Sequence, residues 1–103
     1  MKRFVLTPTA KGDLRDILSD IAEDNPDASL KMHGKFLEAF QELGLSPGIG
    51  HFHDELLNRR FRFWNLNPYV VAYAWETSPI RIVSIVHGAR DLAAFFTLHE
   101  RMH

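Results

Sequence analysis

The chain has no cysteine, no long apolar run and almost no net charge, and each absence excludes a class of function. Without cysteine in its 103 residues, it cannot form disulfide bonds, thiolate metal sites or a cysteine nucleophile. Its apolar runs are shorter than the roughly 18 residues that span a bilayer, and no basic-apolar leader opens the chain. We therefore expect a cytoplasmic protein that does not contact membranes.

The charge balance argues against strong direct binding of nucleic acid. Twelve Lys and Arg residues oppose 13 Asp and Glu residues, which gives a formal net charge of −1. A chain without a global positive field is not drawn to a polyanion, so any such contact has to be local. With 46% hydrophobic and 24% charged residues, the composition predicts one globular domain over residues 1–103.

The first half of the chain predicts a short strand and a helical hairpin. Lys2–Leu6 favours a strand, and Thr7-Pro8 is typical of a helix cap followed by the first helical position. Apolar residues then recur at steps of three and four along one face: Ala10, Leu14, Ile17, Leu18, Ile21 and Ala22. Asn25-Pro26 ends this helix and starts a second, antiparallel one.

The rest of the chain predicts a second helix, a loop, three strands and a short terminal helix. The apolar face of the second helix comprises Ala28, Met32, Phe36, Ala39, Phe40 and Leu43, and Gly44 is expected as a left-handed cap. An irregular loop over Leu45–Leu57 is predicted next. Three strands follow: Arg59–Trp64, Tyr69–Trp75 and Ile80–His87. Asp91 is expected to cap a short C-terminal helix.

This order of elements predicts an α+β fold. Helices grouped ahead of consecutive strands favour a helical hairpin packed on one face of a small antiparallel sheet. The other face of that sheet is expected to stay partly open.

A series of short motifs runs in order along almost the whole chain. It comprises Leu6-Thr-Pro-x-Ala10, Asp13-Leu14-x-x-Ile17, Ile21-Ala-Glu-Asp-Asn-Pro26, Pro47-x-x-Gly50, Arg59-Arg60, Tyr69-x-x-x-Tyr73 and His87-Gly-x-Arg90-Asp91. In order and spacing, the series resembles the RelE/ParE superfamily of bacterial toxins, most closely its ParE branch. The resemblance implies the fold predicted above, a role in type II toxin–antitoxin systems and plasmid stabilisation, and hetero-oligomers with a neutralising antitoxin.

The two branches of this superfamily differ in target, since ParE-like members poison DNA gyrase and RelE-like members cleave messenger RNA in the ribosome. RNA cleavage needs groups that transfer protons and cations that stabilise phosphate charge. In the nuclease branch an Arg follows the Tyr that begins the third strand, whereas Val70 follows Tyr69 here. Phe95 and Phe96 in the C-terminal segment cannot transfer a proton. A non-enzymatic toxin that acts on gyrase is therefore favoured.

Two alternatives stay open. A ribosome-dependent endoribonuclease would use Arg90 with His87 or His99. An inactive relative would only bind a partner.

Several arginines are candidate contacts to a target or to the antitoxin. The group at Arg59, Arg60 and Arg62 is either a solvated strand face or a platform for carboxylates, which Arg binds in bidentate fashion. Because Arg62 and Trp64 share a strand face, they could also stack a planar group. The full set of candidates is Arg59, Arg60, Arg62, Trp64, Arg81 and Arg90.

Two polar groups are expected to be surface features without chemistry. His51-x-His53-Asp54 contains residue types that bind metals, yet a third and fourth ligand are not apparent, so a polar loop is favoured over a metal site. Asp13, Asp16 and Asp20 share one face of the first helix, where we expect them to face solvent. No cofactor is predicted.

Overall fold

A computed structural model describes residues 3–52 and 59–88. In chain order the elements are β1 (Phe4–Leu6), α1 (Pro8–Asp24), α2 (Pro26–Leu45), a 3₁₀ turn (Pro47–Ile49), β2 (Phe61–Leu66), β3 (Tyr69–Ala74) and β4 (Ile80–His87). The strands form one sheet in the order β1-β4-β3-β2. The predicted α+β fold is confirmed, while the C-terminal helix expected from Asp91 lies outside the described residues.

The sheet is mixed rather than wholly antiparallel. Strands β2, β3 and β4 pair antiparallel in sequence order, but β1 pairs with β4 in parallel, from Phe4 opposite Ile80 to Leu6 opposite Ile82. The intervening helical hairpin makes this possible, because a parallel pair needs a long crossover. Strand β1 is therefore an edge of the sheet.

The predicted caps of the helical hairpin are confirmed. The first N–H groups of a helix have no partner within the helix. The Thr7 hydroxyl accepts one at 3.2 Å from Ala10, and the Asn25 side chain accepts one at 3.1 Å from Ala28. The backbone N–H of Asn25 also donates to the Ile21 carbonyl at 2.9 Å, so one residue closes α1 and opens α2. Within the described ranges, neither helix is long and apolar enough to cross a bilayer.

The end of α2 differs from the prediction. Gly44 lies inside the helix, which runs to Leu45 and is followed by the 3₁₀ turn, so the expected glycine cap and the first part of the expected irregular loop are wrong. A Cβ at position 44 would lie 2.7 Å from Arg3 Cβ and 2.9 Å from the Arg3 carbonyl oxygen. Gly44 is therefore required by the close approach of the chain that leads into β1.

The main core lies between the hairpin and the sheet. Phe36 and Phe40 on α2 are 0% exposed, as is Tyr73 on β3. The other fully buried members of this cluster are Ala10, Leu43, Val71, Ile80, Ile82 and Ile85. Burial of each large side chain contributes about 1.5–3 kcal/mol to folding, so this layer holds the hairpin on the sheet.

The sheet face that points away from the hairpin is also apolar. Phe61, Phe63, Val70 and Ala72 form a second cluster there, and they are between 0 and 8% exposed. The expectation of a partly open face is therefore wrong at these residues. The run Val70-Val71-Ala72 explains the difference, because strands buried on both faces are apolar at consecutive positions.

Candidate functional site

The register of the sheet brings four arginines to one end of it. Phe61 lies opposite Ala74, Ala74 lies opposite Arg81, and Arg81 lies opposite Val5. Neighbouring strands are about 4.8 Å apart, so the start of β2 and the start of β4 are close. Arg59 and Arg60 form the turn that leads into Phe61, and Arg3 precedes β1. We call the exposed residues Arg3, Arg59, Arg60 and Arg81 the basic end.

The fifth arginine, Arg62, is engaged by the chain itself. Its guanidinium carbon lies 4.2 Å from the ring centres of both Phe52 and Trp75, and one terminal nitrogen donates to the Gly50 carbonyl at 2.8 Å. The Arg59 guanidinium carbon lies 4.6 Å from the centre of the same Phe52 ring, and the Arg59 carbonyl accepts a bond of 2.9 Å from the Trp75 indole N–H. We call these four residues, Phe52, Arg59, Arg62 and Trp75, the arginine–aromatic cluster.

The buried Tyr73 holds the loop next to this cluster through two hydrogen bonds. The Tyr73 hydroxyl donates to the Pro47 carbonyl at 2.7 Å and accepts from the Gly50 N–H at 2.9 Å. A Cβ at Gly50 would overlap that hydroxyl, so the loop can approach only as glycine. Burial raises the pKa of Tyr73 above its ordinary value of 10.0, while the Gly50 N–H and the Arg62 charge act in the opposite direction.

The structure places the predicted residues in different surroundings. Arg59, Arg60 and Arg81 are exposed at the basic end, whereas Arg62 is half-buried. Trp64 packs against the helix-side core, while the Arg62 guanidinium contacts Phe52 and Trp75. Sequence reasoning missed Phe52 and Trp75. Trp75 could have been found from its spacing, because it follows two residues after Tyr73, which lies opposite Arg62, and residues two apart share a strand face.

The other end of the sheet carries negative charge. Tyr69 lies opposite His87 there, and their rings contact edge to face at 5.6 Å between centres. A cleft of about 260 Å³ opens between this pair and α1. Its lining comprises Asp13, Asp16, Ile17, Asp20, Tyr69, Ile85 and His87. We call it the acidic cleft.

One carboxylate of this cleft, that of Asp13, has a structural role. Asp13 accepts a bond of 3.0 Å from the Ser84 hydroxyl and another of 3.0 Å from the Ile85 N–H. These groups lie on β4 beyond the last residue that pairs with β1. The Asp13 carboxylate therefore accepts hydrogen bonds from β4 where β1 no longer pairs with it. The predicted solvent position is wrong for Asp13, but Asp16 and Asp20 are exposed as expected.

The described part of the chain offers no metal centre. No group of three or more His, Cys, Asp or Glu residues within residues 3–52 and 59–88 could hold an ion. His51 pairs its backbone with Phe63 through bonds of 2.9 and 2.8 Å. His53, Asp54, Arg90 and His99 lie outside the described residues, so of the three nuclease candidates the structure locates His87.

Comparison with known proteins identifies the family. A family model described as "ParE toxin of type II toxin-antitoxin system, parDE" matches residues 4–92, so the chain belongs to the ParE toxin family. Among solved structures, it is similar to a chain of the "Chromosomal ParDE TA system from P. aeruginosa", with a TM-score of 0.67 and 19% identity over 82% of this chain and 94% of that chain. This likeness shows the shared fold. A comparison with curated proteins gives no match.

Proposed function

We propose that this ParE-family toxin acts on DNA gyrase in the cytoplasm and that a cognate antitoxin binds and neutralises it. The observation that carries the proposal is the family match over residues 4–92. It agrees with the motif series from Leu6 to Asp91, which favours the ParE branch. The protein acts by binding and needs no catalytic residue or cofactor.

We further propose that the basic end makes the contact with the target. Arg59 and Arg81 are exposed there, and guanidinium groups bind carboxylates with two parallel hydrogen bonds. Arg62 acts differently in this proposal, because it contacts the same Phe52 ring as Arg59 and thereby positions Arg59. Arg90 remains a further candidate contact.

The surroundings of His87 support binding over RNA cleavage. His87 lines the acidic cleft together with Asp13, Asp16 and Asp20. Carboxylates repel the phosphate groups of RNA, and near-neutral chains lack the cations that ribosome binding requires. The endoribonuclease alternative is therefore disfavoured at this position.

A gyrase supercoiling assay with the purified toxin tests the proposal. We expect inhibition that is relieved by co-purified antitoxin, and a loss of inhibition when Arg59 and Arg81 are both replaced by Ala. Arg15→Ala is the matched control, because Arg15 is equally cationic and 76% exposed but lies on α1, where it pairs with Asp16 at 3.6 Å.

One result would reject gyrase as the target, and another would reject the basic end as the contact surface. Normal supercoiling together with cleavage of ribosome-bound messenger RNA would reassign the protein to the nuclease branch. Unchanged inhibition by the Arg59/Arg81 double variant would leave gyrase as the target but remove the basic end from the contact.

A further inference from the structure

The outer face of α2 carries apolar side chains that the fold does not bury. Among the residues that the structure describes, four large apolar side chains are exposed: Leu30 at 71%, Leu37 at 38%, Leu45 at 60% and Ile49 at 40%. Three of them lie on α2 and the fourth lies on the 3₁₀ turn that follows. At about 100° per residue, Leu30, Leu37 and Leu45 fall within about 80° of one another around the helix. They therefore form one ridge.

Gly34 interrupts this ridge, and no contact among the described residues explains a glycine there. Gly34 lies in the interior of α2, where glycine lowers helix stability relative to alanine. A Cβ at this position would meet nothing within 4 Å. In contrast to Gly44 and Gly50, Gly34 has no close neighbour within residues 3–52 and 59–88 that requires it. The cost is explained if a second backbone approaches α2 at Gly34.

The charges beside the ridge indicate which partner fits. Lys31, Lys35, Glu38 and Glu42 lie on one flank of the helix, within about 60° of one another. The positive pair precedes the negative pair along the chain. Suppose that a second copy packs antiparallel about a two-fold axis between positions 36 and 37. Lys31 then lies level with Glu42 of the second copy, and Lys35 lies level with its Glu38. In such a pair the same flanks of the two helices meet.

The apolar ridge obeys the same symmetry. About that two-fold axis, Leu37 meets Leu37 of the other copy. Leu30 lies opposite Leu45 of the other copy, with an offset of about 3 Å along the helix. Gly34 lies between these contacts and lets the two helices come close. A surface that complements itself in both charge and apolar contacts is the signature of an isologous dimer interface.

We propose that the outer face of α2 binds a second copy of this chain in an antiparallel two-fold dimer. The occupant is the same chain rather than an antitoxin helix, since both ion pairs and the leucine contacts are supplied by the one surface. A single pair of helices buries little area, so the dimer is weak and concentration-dependent.

Sedimentation velocity of the purified toxin between about 1 and 200 µM tests this, a range chosen because small interfaces bind weakly. We expect a monomer–dimer equilibrium. Lys35→Glu should raise the dissociation constant about tenfold or more by opposing Glu38 of the other copy, and the double change Lys35→Glu with Glu38→Lys should restore it. Lys11→Glu, the same charge change on α1, is the matched control.

A second pair of variants separates self-association from helix stability. Gly34→Ala should raise the melting temperature of the chain, because alanine favours helix, yet weaken the dimer. Gly12→Ala should stabilise α1 without changing the dimer, because its Cβ would meet only the end of the Arg15 side chain at 3.7 Å.

A chain that stays monomeric over the whole range would overturn the proposal, as would a dimer that the charge reversal leaves intact. If the α2 variants weaken antitoxin binding while the free toxin is monomeric, the surface belongs to the antitoxin and the proposal is wrong.

Discussion

The two ends of the sheet carry opposite charge but follow the same design. Next to the basic end, Arg62 contacts Trp75 and is hydrogen-bonded within the chain, while Arg59 and Arg81 are exposed. At the acidic cleft Asp13 binds two groups of β4, while Asp16 and Asp20 stay exposed. In each case one charged side chain is held by hydrogen bonds to the chain's own backbone, and like-charged side chains near it are more exposed to solvent. The charge of a side chain therefore does not reveal its role; its position in the register does.

The largest effect is expected from removing Arg62. Arg62→Ala leaves the Gly50 carbonyl without its charged donor and removes the stacking on Phe52 and Trp75, which together should cost about 2–3 kcal/mol. Urea unfolding measures the loss. Arg59→Ala should cost less than about 1 kcal/mol, because the stacking of Arg59 is exposed. If it destabilises the chain as much as Arg62→Ala, the distinction between the two arginines is wrong.

Tyr73→Phe should destabilise the same end by about 1–3 kcal/mol, because the Gly50 N–H and the Pro47 carbonyl lose their buried partner. The effect should depend on pH. Burial raises the pKa of Tyr73 above 10.0, so its contribution is complete below pH 10 and is lost as the pH rises through the pKa of the folded state. Wild type and variant should therefore converge in unfolding free energy at high pH. A constant difference would contradict the buried position of the hydroxyl.

At the opposite end, Asp13→Ala should cost about 1–2 kcal/mol, because the Ser84 hydroxyl and the Ile85 N–H are left unpaired. Asp13→Asn should cost less, since the amide oxygen can still accept. Thermal unfolding of both variants gives the order. Equal losses would mean that the negative charge, rather than the acceptor, is what β4 requires.

The smallest effect is expected at Asp20. Asp20→Asn should change the unfolding free energy by no more than about 0.5 kcal/mol, as is usual at exposed positions, and should leave gyrase inhibition unchanged. A clear loss of inhibition in the supercoiling assay would move the functional contact from the basic end to the acidic cleft.

Local signals predicted most of the fold. Thr7, Asn25 and Pro26 carry their capping information in residue type, and the periodic apolar residues of α1 and α2 define the hairpin. The parallel pairing of β1 with β4 was not predictable in this way, because it depends on residues far apart in sequence. Gly44 was misassigned for the same reason: the contact that requires it comes from Arg3.

The candidate site was predictable only in part. The arginines were evident from composition, but the separate role of Arg62 depends on the loop that brings Gly50 and Phe52 beside it. Asp13 looked like its neighbours on α1 until the edge of β4 was located. Such roles arise from unpaired backbone groups, which no side-chain pattern displays.

The pairing of Phe4 with Ile80 has a consequence for synthesis on the ribosome. The first strand emerges early but finds its neighbour only after β4 has been translated, since domains assemble as their segments become available. The sheet that the hairpin covers is likewise incomplete until that moment. A nascent chain that ends before β4 therefore lacks the only pairing partner of β1 within the described sheet and cannot complete the fold.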